Sequence, residues 1–140
     1  MSKEKSETDA ARVARARQSQ QEELRHKLLA LHKAIVDSER IAYERIHGHM
    51  NAGAFLAVLV NGDDFSWLRP LTAWIVQLDE LLDARESTDV EDGRALRAEL
   101  LTLLRPDPDG DDFQRRYAAL LQASPDVALA HAALTPFLRG

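Results

Sequence analysis

Residues 21–47, QEELRHKLLALHKAIVDSERIAYERIH, decide the fold class. Leu24, Leu28, Leu31 and Ile35 recur at helical spacing, and the series continues through Ser38 and Ala42 to Ile46. Leu29, Val36 and Tyr43 form a second stripe beside it, one residue in every seven. The combined apolar face is wider than a two-stranded coiled-coil seam, so this helix packs against several neighbours. Gly48 is placed to end it, since glycine takes the left-handed conformation a helix terminus favours.

Downstream the same period recurs. Asn51 is positioned to cap a helix over 52–60, AGAFLAVLV, whose all-round apolar character predicts a buried central helix. Ala and Gly at 52–54 and 57 argue against a strand there. Asn61-Gly62 stops it and Asp63-Asp64 starts a turn. Pro70 suits the first position of a helix over 70–86, with Leu71, Trp74, Ile75, Leu78, Leu81 and Leu82 on one face. Thr88-x-x-Glu91 reads as a capping box opening a fourth helix, with Leu96, Leu100, Leu103 and Leu104 inward. After the Pro106–Gly110 loop, Asp111 or Asp112 caps a fifth helix bearing Phe113, Tyr117, Leu120 and Leu121. Ser124-Pro125 opens a last helix carrying Leu134, which Thr135-Pro136 bends or ends. The predicted fold is therefore all-α, a single-domain bundle of five or six helices over 21–140. The two long helices, 21–47 and 70–86, are expected to pack antiparallel around helix 52–60.

Residues 1–20 have Val13 as their only large aliphatic after Met1 and no aromatic side chain. That composition predicts a disordered, solvated arm, frayed helix from about Ala10 onward, or an arm that orders on a partner. Charge divides along the chain: residues 1–20 carry +2, residues 21–50 balance, and residues 51–140 carry −7. An acidic body disfavours nucleic-acid binding, because polyphosphate affinity comes largely from Lys and Arg displacing counterions. The chain holds no cysteine, which excludes disulfides, thiolate metal sites and cysteine nucleophiles. The N-terminal stretch lacks an apolar run of signal-peptide length, and the longest such run, Ala54–Val60, is too short to span a bilayer. A cytoplasmic protein without membrane partners is expected.

One local cluster stands out, Tyr43-Glu44-Arg45-Ile46-His47-Gly48-His49. Glu44 and His47 share a helical face at i, i+3, the spacing that aims a carboxylate and an imidazole at one point in di-iron bundles. Those sites draw a second such motif and two more glutamates from other helices, and the set here falls short. A mononuclear site for a divalent transition metal, from Glu44, His47, His49 and Asp79 or Glu80, is the alternative. The plainer reading pairs Glu44 with Arg40 and makes the histidines a polar helix end.

The helix over 70–86 carries its charges against its dipole. Asp79, Glu80, Asp83 and Glu86 crowd its C-terminus, and Arg69 precedes its N-terminus. Both ends want outside partners: Arg40 and Arg45 for the acids, and Asp63, Asp64 or Glu44 for Arg69, or else a partner protein's basic surface. Trp67 and Trp74, seven apart, either line a small-ligand pocket with Arg69 or sit in the core with each indole N–H on a carboxylate. Asp107-x-Asp109-x-Asp111 begins like a calcium loop, but Asp112 and Ala118 occupy the positions that need Gly and Glu.

Several of these residues also carry a resemblance. Leu31-His32-Lys33-Ala34, Glu39-Arg40-x-x-Tyr43-Glu44-Arg45-x-His47-Gly48, Gly53, Asp64-x-x-Trp67-Leu68-Arg69-Pro70-Leu71 and Asp79-Glu80 are similar to a family of short uncharacterised bacterial proteins with YERxHG and WLRPL motifs. The likeness covers about residues 28–82. It implies a bacterial origin and brings no activity with it. The expected function is non-enzymatic: a protein-interaction or regulatory bundle that self-associates as a homo-oligomer and needs no cofactor. Metal-binding and small-ligand-binding bundles are the alternatives.

Overall fold

The structure, a computed structural model, describes residues 2–83 and 90–139, with side chains over 9–82 and 93–139. Among the described residues it is all-α. Helix α1 spans Ser2–His47, α2 Ala52–Asn61, α3 Arg69–Asp83, α4 Val90–Leu103, α5 Asp112–Ala123 and α6 Pro125–Arg139. A 3-10 helix over Asp63–Leu68 joins α2 to α3. No helix is long and apolar enough to cross a membrane among the described residues.

The periodic face of α1 is buried as its spacing requires. Leu24, Leu28, Leu31 and Ile35 lie in the core with Leu71 and Leu78 of α3 and Leu134 of α6. Each fully buried leucine of this kind contributes about 2 kcal/mol of transfer free energy. Beyond Ile35 the stripe leaves the core, and Ile46 is 80% exposed. Upstream, residues 9–20 continue α1 as helix and add no buried side chain, so the arm stands outside the core.

The helix ends are written locally. Gly48 adopts φ +87, and its N–H reaches the Glu44 carbonyl at 2.8 Å. Asn51 caps α2 by accepting from the Ala54 N–H. Asp111 caps α5 and forms a reciprocal capping box with Gln114. Ser124 Oγ accepts from the Val127 N–H at the start of α6. Gly62 has an ordinary φ; it is glycine because a Cβ would come within 2.5 Å of the Val58 carbonyl oxygen. The Thr88–Glu91 capping box lies outside the described residues. Pro136 does not end α6, which runs on to Arg139 while Thr135 Oγ1 donates to the His131 carbonyl.

The centre differs from the sequence expectation. Helix α6, not α2, is the middle of the bundle, lying against α1, α4 and α5. Of α2, Phe55 alone is buried, and Leu56 and Val60 are 56% and 63% exposed. A ten-residue helix tied by a short loop to the end of α1 cannot reach the central layer. It packs on the 3-10 segment instead.

Two partly buried histidines couple this packing to pH. Burial lowers the pKa of both His32 and His131 below 6.5. Tyr117, fully buried, shares a 2.6 Å hydrogen bond between its hydroxyl and His131 Nδ1. The unfolded chain therefore takes up protons before the native one. Stability from these groups is present above the unfolded pKa and is lost as pH falls through 6.5 toward the depressed native values. Glu39 acts oppositely in a more acid window, since burial raises its pKa from 4.5. Urea midpoints are expected to drop between about pH 7.5 and about pH 5.5, and the drop should shrink in His32→Gln.

Candidate functional site

The YERxHG segment forms one connected structure at the α1–α2 corner. Arg40, one turn before Glu44, donates from Nε to Glu44 Oε1 at 2.8 Å and from Nη2 to the Met50 carbonyl at 2.7 Å. Its guanidinium lies 5.3 Å from the centre of the Phe55 ring, a cation–π distance. Glu44 turns its second oxygen to His49 Nδ1, 3.3 Å away. The hydrogen bond from Arg40 is the main cause holding the Glu44 carboxyl below its ordinary pKa. One arginine thus ties the end of α1, the loop 48–51 and α2 together.

Aromatic rings fill the inside of the corner. Tyr43 lies 5.7 Å from Phe65 and 6.2 Å from Phe55, and Phe55 lies 5.6 Å from Phe65 edge-on. The His47 ring lies over Tyr43 at 4.2 Å. Phe55 and Phe65 are buried, which docks both α2 and the 3-10 segment against α1.

This arrangement brings Glu44 and His49 together but parts them from Glu80. Both Glu44 oxygens face Arg40 and His49, and His47 stacks on Tyr43. Glu80 is far away, because α3 runs antiparallel to α1 and its neighbour Asp79 pairs with Arg25. Arg25 lies roughly 28 Å along the α1 axis from Glu44 at 1.5 Å per residue. A second Glu-x-x-His exists at Glu23–His26, but it sits on α1 itself, about 30 Å from the first, and cannot face it. No group of three or more His, Asp or Glu is placed to hold a metal ion among the described residues.

The other polar and aromatic expectations resolve as follows. Arg25, rather than Arg40 or Arg45, answers the acidic end of α3 through Asp79; Asp83, Arg85 and Glu86 have no described side chains. Arg69 is exposed and pairs with none of Asp63, Asp64 and Glu44. The groove that Trp74 lines does not include Trp67. Trp67 is 6% exposed, packs 5.7 Å from Phe113 and has Arg116 over its ring at 5.9 Å. Its Nε1 has no hydrogen-bond partner, contrary to the expected carboxylate. Trp74 instead faces α4 along an open groove with Gln77, Glu80, Leu96 and Glu99.

The feature that sequence reasoning missed is the outer face of α2. Ala52, Gly53, Leu56, Ala57 and Val60 are all exposed, and none of them is charged. The all-apolar composition of 52–60 is the available signal, and by itself it does not distinguish a buried helix from one with an exposed apolar face. Comparison with family models, curated proteins and solved structures finds no match to this chain.

Proposed function

We propose that this chain is a non-enzymatic protein-interaction or regulatory bundle that self-associates through the outer face of α2. The observation that carries this reading is a helix whose solvent side from Ala52 to Val60 is apolar and uncharged, with Leu56 and Val60 more than half exposed. Contiguous apolar surface of this kind marks interaction sites. Ile46, near the end of α1 that leads into α2, is also exposed. The Arg40 clamp supports the reading from beneath, because it holds α2 in a set orientation with its apolar side outward. A bacterial origin rests on the sequence resemblance.

Native mass spectrometry and sedimentation on the untagged chain test the proposal. An oligomer is expected, and Leu56→Glu is expected to weaken it at least about 100-fold by placing an unpaired charge in the contact. The same substitution should leave the urea midpoint of the dilute protein nearly unchanged, since Leu56 is largely exposed. An oligomer indifferent to Leu56→Glu would remove α2 from the interface. Bound transition metal lost on His47→Ala would favour the metal-binding alternative instead.

A further inference from the structure

A small, partly enclosed cavity lies where α1, α4 and α6 meet, roughly 35 Å along α1 from its junction with α2. Its volume is about 140 Å3. Leu24, Pro136 and Phe137 give it apolar walls, and Gln20 and Arg97 give it a polar end. Leu24 belongs to the core, and Arg97 and Phe137 are partly buried. No acidic residue is among the described residues that line it, and no hydrogen bond or ion pair joins Arg97 to another residue. A guanidinium partly withdrawn from water without a counter-charge favours an anion beside it. Gly93, one turn before Arg97, keeps the approach open. A Cβ on Gly93 would lie 3.5 Å from Arg97 Nη1 and 3.6 Å from the Gln21 amide nitrogen, so both side chains converge over a bare stretch of α4 backbone.

We infer that this cavity binds a small organic monocarboxylate whose body is a single ring or a short branched chain. The carboxylate pairs with Arg97, whose fork of N–H groups matches its two oxygens. The Gln20 and Gln21 amides stand at the same end as further donors. Leu24, Pro136 and Phe137 take the body out of water, which an inorganic anion could not exploit. An apolar cavity of about 150 Å3 holds one benzene ring, so a long acyl chain is too large for this one. The site stands apart from the association proposed for α2 and does not depend on it.

Nuclear magnetic resonance on the isotope-labelled chain, titrated with sodium benzoate at constant ionic strength, tests the assignment. Saturable shifts are expected at the Arg97 side-chain N–H and at the Leu24 and Phe137 amides, with a Kd of about 1 mM or below for a ligand of this size. Benzyl alcohol keeps the ring and removes the charge, and acetate keeps the charge and removes the ring. Each is expected to bind at least about tenfold more weakly than benzoate, and so is benzoate to Arg97→Gln. Circular dichroism checks that this variant stays folded, and the two ligand analogues need no altered chain. The absence of saturable shifts with benzoate overturns the site. Benzyl alcohol matching benzoate, or full affinity in Arg97→Gln, overturns recognition of the carboxylate by Arg97. Acetate matching benzoate overturns the apolar body and leaves a simple anion contact.

Discussion

Leu134→Ala is expected to cost about 3 kcal/mol of folding stability, and Leu56→Ala less than about 0.5 kcal/mol. Both leucines sit in largely apolar helices, and α2 is the more apolar of the two. Their surroundings differ. Leu134 is fully buried on α6, where α1, α4 and α5 converge. Removing three carbons there leaves a void that three anchored helices cannot close, so the lost transfer energy and the cavity add. Leu56 is more than half in solvent and leaves no void. Urea unfolding of both variants checks the pair. It should be run at low protein concentration, because association through α2 would add to the apparent stability. Equal losses would mean that α2, not α6, occupies the centre.

Arg40→Ala is expected to cost about 2 kcal/mol, from the charge-assisted bond to the Met50 carbonyl and the packing on Phe55. Truncation leaves that carbonyl without its side-chain donor and Phe55 without its cover. Lysine should not rescue the loss, because one ammonium cannot reach Glu44 and Met50 in the two directions that Nε and Nη2 serve. The damage should be local. Amide hydrogen exchange is expected to accelerate over Phe55–Val60 and to stay slow at Leu28–Ile35, since α2 hangs on this corner while the α1 core does not. Uniform acceleration along α1 would show that Arg40 supports the whole bundle.

The corner illustrates how the spacing of a conspicuous motif can leave two readings open. Glu44 and His47 do share a helical face, as their spacing requires, but the spacing does not say what else reaches that face. Arg40 lies on it too, and an arginine one turn away is a closer partner for Glu44 than any acid on α3. The pairing of Glu44 with Arg40 was legible because both belong to one helix. The Met50 bond and the Phe55 contact were not, because they depend on the path of the loop after Gly48.

Local chemistry determined most of the architecture. Helical periods, the glycine stop at Gly48, and the caps at Asn51, Asp111 and Ser124 all act over a few residues, so the chain states them directly. Tertiary structure alone decided which apolar helix would be central and which charges would meet. Arg25 answers Asp79 because α3 runs back along α1, a register set by the connection through α2 and the 3-10 segment. Helix α6 takes the centre because its approach from α5 brings it between three other helices, whereas α2 is tethered too closely to the end of α1. Apolar composition states that a surface will avoid water; only the packing of distant segments decides whether it does so inside the chain or remains exposed, as the outer face of α2 does.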